Sequence, residues 1–201
     1  MALIHETSVP NSYRAAFLEK LVQVSKNLGI NPNWLMLVIY WESARSFSPS
    51  KKNPYSGATG LIQFMPSTAK GLGTTTAQLA QMTAVEQLDY VEKYYSPYKH
   101  KIKSFIDLYF ATFYPAAIGK PDNYVLGSSS YLIQKIAEQN PAFDNNKDRK
   151  VTKVEVEKTM LEKIPDLWKG EFLKNTMAIG LIGFFMLAGI AASSYYLIYK
   201  A

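Results

Sequence analysis

Trp34-Leu35-Met36-Leu37-Val38-Ile39-Tyr40-Trp41-Glu42 is an apolar run that ends on a single acid. Asn31 suits a helix cap and Pro32 a first helical turn, so the run predicts a helix. With almost every position apolar, that helix is expected to be buried on most sides. A carboxyl group at its end is costly to ionise, because desolvation disfavours the charged form and raises the pKa. Such an acid keeps its proton near neutral pH and suits protonation of a glycosidic oxygen. A second stretch follows: Ser56-Gly57-Ala58-Thr59-Gly60-Leu61-Ile62-Gln63-Phe64-Met65-Pro66-Ser67-Thr68-Ala69. Gly57 and Gly60 permit positive φ and close approach of a ligand to the backbone. Gln63 offers donors and acceptors that fit hydroxyl and acetamido groups.

Around this centre the pattern is helical. Apolar positions Tyr13, Phe17, Leu21 and Val24 have helical spacing and stop at Gly29. Further helices are expected from Pro66, over 76–82, 85–95, 105–114 and 131–138, and after 155, with no strand beyond a few residues and no internal repeat. The fold class is therefore all-α. The 201 residues suffice for one compact domain and an appendage. There is no cysteine, so disulfides and thiolate metal sites are excluded. A net charge of +6 suits an anionic partner. Nucleic acid is not expected, because no basic nucleic-acid-reading motif is present.

Glu42-Ser43, followed after a gap by Gly60-Leu61-Ile62-Gln63 and Pro66-Ser67-Thr68-Ala69, resembles the soluble-type lytic transglycosylase domain and, more distantly, goose-type lysozyme. The resemblance covers roughly residues 15–126. It implies a lysozyme-like helical fold and cleavage of the β-1,4 bond between N-acetylmuramic acid and N-acetylglucosamine in peptidoglycan, with no cofactor required. On this resemblance Glu42 is the catalytic acid, and Ser43, Gly60, Gln63, Phe64, Tyr114 and Tyr124 contact substrate. Tyr114 is expected to orient Glu42, although Pro115 stands where the family has Asn. No Asp or Glu occurs between Ser43 and Val85. A lone acid fits a route in which the sugar's own 6-hydroxyl attacks C1, giving a 1,6-anhydro product. Two alternatives stay open: a lysozyme of the same fold, and a non-catalytic virion or membrane protein that retains it.

Asp144-Asn145-Asn146-Lys147-Asp148-Arg149-Lys150-Val151-Thr152-Lys153-Val154-Glu155 follows the EF-hand loop pattern. Asp144, Asn146, Asp148, Lys150 (through its carbonyl), Thr152 and Glu155 occupy the ligand positions. Arg149 takes the place of the usual glycine, which needs a left-handed backbone. The loop is either a weak Ca2+ site or one that keeps the shape without metal.

The uncharged run 177–199 would span about 34 Å as a helix, enough for a bilayer core. A single C-terminal transmembrane helix is therefore expected, with the lipid membrane as a partner. The first residues, Met1 to Thr7, do not read as a Sec signal peptide. Lysines before the run place the enzyme domain on the cytoplasmic side. This topology suggests the membrane of a phage virion, with virion proteins as partners and wall penetration as the setting, or the host inner membrane. The expected divisions are a lysozyme-like domain over 1–140, an EF-hand-like loop and helix over 141–164, an amphipathic connector over 165–176, and the anchor over 177–199.

Overall fold

A computed structural model describes residues 2–173 of the chain. These fall into two compact units, one reaching to Met160 and one starting at Leu161. Among the described residues the structure is helical and has no strand, only isolated bridges such as Thr59–Phe64 and Val125–Thr152.

In the first unit, α1 (Arg14–Leu28) buries Phe17, Leu21, Val24 and Leu28, a stripe at three- and four-residue spacing. Gly29 ends it in the left-handed conformation, φ 70°, with its N–H on the Lys26 and Ser25 carbonyls. Helix α2 (Pro32–Glu42) starts on Asn31, whose side chain accepts from the Asn33 N–H, and has Pro32 in its first turn. Every residue from Asn33 to Ile39 is buried, so α2 is the central helix of this unit. Its flanks are α1 and α6 (Phe105–Phe113), while α5 (Ala84–Tyr95) packs on α1. A reciprocal capping box between Thr83 and Glu86 opens α5. Ser104 caps α6, and Pro115 follows directly after its end at Tyr114. The short helices α3 (Pro66–Gly71) and α4 (Thr76–Gln81) join the glycine loop to α5. Beyond α6 come α7 (Ser130–Gln139) and α8 (Lys153–Glu162). In the second unit, α9 (Asp166–Leu173) starts after Pro165 and carries an Asp166–Lys169 ion pair across one turn.

The expected single-pass C-terminal anchor is corrected. No helix among the described residues is long and apolar enough to cross a membrane. The longest of them, α1, has 15 residues, whereas a bilayer core needs about 20. The last, α9, carries Asp166, Lys169 and Glu171. The run 177–199 that suggested the anchor lies outside the described residues. The location drawn from it, a phage-virion or host inner membrane, loses its support with it.

Candidate active site

Glu42 is the last residue of α2, where the buried helix reaches the surface. The chain then turns through three left-handed non-glycine residues: Ala44 (φ 52°), Arg45 (φ 68°) and Phe47 (φ 52°). Each costs roughly 1 kcal/mol against an ordinary conformation, so the surroundings must hold the turn. The fully buried Ser43 accepts the Phe47 N–H on its hydroxyl at 2.9 Å. Tyr13, on the approach to α1, donates its hydroxyl to the Phe47 carbonyl at 3.0 Å. The Phe47 ring is buried between Phe17 and Tyr40, with centroids 5.7 and 6.0 Å away. Ser43, expected on substrate, is thus engaged in the turn that fixes the end of α2.

The Glu42 carboxyl forms no hydrogen bond and no ion pair among the described residues. Its neighbourhood is aromatic. The adjacent Trp41 meets Phe105 and Tyr109 edge to face, at 5.8 and 6.3 Å between centroids. Desolvation is the whole cause of a rise that pushes Glu42 up to about 7. Three tyrosines sense its charge. Burial first, and then Glu42 among other groups, pushes Tyr94 up to about 12. Tyr95 and Tyr109 are raised by the same causes. Tyr94 donates to the Ala111 carbonyl at 2.7 Å, and Tyr95 pairs with the Thr112 hydroxyl at 2.5 Å. Tyr109 is buried, and its hydroxyl has no hydrogen bond among the described residues.

The glycine loop is a closed, self-bonded unit. Thr59 and Phe64 exchange both backbone hydrogen bonds, at 3.0 and 2.9 Å, and the Gly60 N–H donates to the Lys51 carbonyl at 2.8 Å. Gln63 adopts φ 51°, and its amide nitrogen donates to the carbonyls of Lys51 (3.0 Å) and Gly60 (3.1 Å). Its Oε1 remains the acceptor without a partner among the described residues. Gly60 and Phe64, expected on substrate, are buried. The Phe64 ring lies edge-on to Tyr94 at 6.2 Å, which links the loop to the group around Glu42.

Neither Tyr114 nor Tyr124 forms a hydrogen bond to Glu42 among the described residues. The Tyr114 hydroxyl accepts the Gly127 N–H at 3.1 Å. The Tyr124 carbonyl accepts the Lys153 N–H at 2.9 Å, beside the Val125–Thr152 bridge. Sequence reasoning missed Tyr94, Tyr95 and Tyr109. The available signal was the four-residue spacing of Phe105, Tyr109 and Phe113 on one face of α6.

The loop over 144–155 uses its polar side chains on itself. Asp144 accepts the N–H groups of Asp148 and Arg149, both at 3.1 Å. Asn146 accepts the Asp148 N–H, and Asp148 accepts the Lys150 N–H. Arg149 has φ 63°, as its position in the pattern requires. Thr152 and Glu155 bond reciprocally at the start of α8, the Glu155 carboxylate accepting from the Thr152 N–H and hydroxyl. This is a capping box. Among the described residues no three His, Cys, Asp or Glu side chains are grouped so that they could hold a metal ion.

No curated protein and no solved structure matches the chain. Residues 21–93, which run from α1 through Glu42 and the glycine loop to α5, match the protein family described as the Transglycosylase SLT domain. The likeness to a transglycosylase domain is carried by this segment, which holds Glu42 and the glycine loop.

Proposed function

We propose that Glu42 is the sole catalytic carboxyl and that it cleaves the β-1,4 bond between N-acetylmuramic acid and N-acetylglucosamine. One observation carries this reading: a carboxyl without a partner among the described residues, at the end of a buried helix, raised to about 7 by desolvation alone. A protonated Glu42 donates to the glycosidic oxygen as the C1–O bond breaks. The resulting carboxylate accepts the proton of the 6-hydroxyl as that oxygen bonds to C1. The 1,6-anhydro product leaves with Glu42 protonated again, and no water is consumed. A second carboxylate about 5 Å away, as in a two-carboxylate retaining enzyme, would raise Glu42 further by repulsion. No carboxylate contributes to the Glu42 shift, which supports the single-acid route over hydrolysis.

Around this acid the roles divide. The Tyr109 hydroxyl, on a buried ring and without a hydrogen bond among the described residues, is the donor available to Glu42 when it becomes a carboxylate. Gln63 offers Oε1 to sugar N–H and O–H groups. No membrane or virion setting enters the function, because the anchor that suggested it has lost its support. The test is clearing of purified sacculi by wild type and Glu42→Gln. Loss of clearing in the variant supports the acid; equal clearing removes it and leaves a role in wall binding.

A further inference from the structure

Gln87 lies on α5, outside the chemistry above, and is fully buried. Its whole amide is engaged. Oε1 accepts the Leu61 N–H at 2.6 Å, and Nε2 donates to the carbonyls of Leu79 (2.9 Å) and Pro49 (3.0 Å). These backbone groups belong to three separate segments: the approach to the glycine loop, the loop itself and the end of α4. One acceptor and two donors in a plane are what a primary amide supplies. A carboxylate lacks the donors, and a thioether lacks both functions.

Gly60 is shaped to this amide. Its φ is +89°, and a Cβ there would lie 2.3 Å from Gln87 Oε1 and 2.7 Å from Nε2. Space at Gly60 is therefore filled by Gln87, and the glycine serves close approach of a side chain from α5. The consequence reaches the ligand-facing part of the loop in two steps. Gln87 fixes Gly60 and Leu61. The Gly60 carbonyl then takes one of the two hydrogen bonds that orient the Gln63 amide.

The structure assigns Gln87 as a positioning residue for glycan binding: it sets the loop on which Gln63 meets the substrate and leaves proton transfer at Glu42 untouched. This rests on the reading of the glycine loop as the glycan-holding element. It goes further by placing control of substrate binding in a side chain that substrate never touches.

The experiment uses the full chain with Gln87→Met and Gln87→Glu. Steady-state kinetics on soluble uncrosslinked glycan strands should show KM raised about tenfold in Gln87→Met, the loss expected for orphaned buried polar groups. Both kcat and the midpoint of its pH profile should stay at the wild-type values. Gln87→Glu keeps the acceptor for Leu61 but sets a carboxyl oxygen against the carbonyls of Leu79 and Pro49, and should raise KM at least as much. An unchanged KM in both variants, or a fall in kcat with a moved pH midpoint and KM kept, overturns the assignment. If Gln87→Met does not fold, Gln87→Glu decides alone by the same split. A binding arm separates this proposal from the catalytic one. Titration of a chitin oligosaccharide into Glu42→Gln, with and without Gln87→Met, needs no turnover. Weaker binding in the double variant supports Gln87 even if Glu42 proves not to be the acid, and equal binding overturns it even if Glu42 is.

Discussion

Two acidic regions of this chain look alike in sequence and behave oppositely in structure. Glu42 has no hydrogen bond among the described residues and follows Trp41, which packs on Phe105 and Tyr109. Asp144, Asp148 and Glu155 stand in a crowded polar loop, and each accepts backbone N–H groups of its own segment. A carboxylate that accepts several N–H bonds is stabilised as the anion and holds the backbone in place. A carboxyl largely withdrawn from water, with no donor among the described residues, is biased toward its protonated form. The difference shows that an acid's partners decide its work. The loop richer in acids spends them on its own backbone, and the isolated acid is the one proposed for the chemistry.

The strongest way to break this contrast is Glu42→Gln, which should lower turnover roughly a hundred- to ten-thousandfold, the range for loss of a general acid. The pH profile of the wild type should match, with kcat falling as pH rises through about 7, where Glu42 loses its proton.

The same substitution sharpens the contrast through stability. The pKa of Glu42 rises from 4.5 unfolded to about 7 folded, so the native state binds more protons between those values. Wild-type stability should therefore fall as pH rises from about 4.5 to 7 and stay lower above it, by at most about 3 kcal/mol. Denaturant melts of Glu42→Gln should lack this decline. A parallel decline in the variant would show that Glu42 is not strained by its surroundings.

A smaller effect is expected at Tyr109→Phe. Loss of the hydroxyl available to the Glu42 carboxylate should reduce kcat about tenfold, the worth of a hydrogen bond to a charged group. The fold should tolerate the change, because the ring remains.

In the polar loop, Thr152→Ala removes one side of the capping box and should cost about 1 kcal/mol in chemical denaturation. Turnover should stay unchanged. The smallest effect is expected from calcium. Millimolar Ca2+ or a chelator should leave the melting temperature where it is. A rise of several degrees with Ca2+ would turn the self-bonded loop into a cation site.

Much of the fold was legible from short-range signals. Asn31-Pro32 marks the start of α2, Gly29 the end of α1, and the stripe Phe17, Leu21, Val24 and Leu28 its buried face. Glu42 was singled out by the pattern of Glu42-Ser43 with Gly60-Leu61-Ile62-Gln63, since an acid at a helix end by itself reads as a solvated residue. The tyrosines around it were not. Tyr94, Tyr95 and Tyr109 come from helices far apart in the chain, and only tertiary packing brings them to one carboxyl. Tyr114 holds the expected position in the motif, but its hydroxyl takes the Gly127 N–H, a backbone partner that nothing in the motif announces. Gln87 reads in sequence as an ordinary polar helix residue, since nothing local reveals that its amide meets three distant backbone groups.

The polar loop shows how one pattern can carry two meanings. Thr152-Lys153-Val154-Glu155 supplies the last two EF-hand ligand positions and is equally the signature of a helix start. Asp144 and Asn146 are also the residue types that turn a backbone by accepting its N–H groups. The C-terminal reading failed for a different reason. Hydropathy alone suggested a bilayer span, whereas the helices that are described are short, and the last of them is charged.

The central claim is that one acid works without water. Peptidoglycan digested by the wild-type chain in water labelled with heavy oxygen, with mass analysis of the released muropeptides, tests it most directly. The account predicts 1,6-anhydro ends that carry no label. Reducing ends that carry one labelled oxygen would contradict it and make the enzyme a hydrolase.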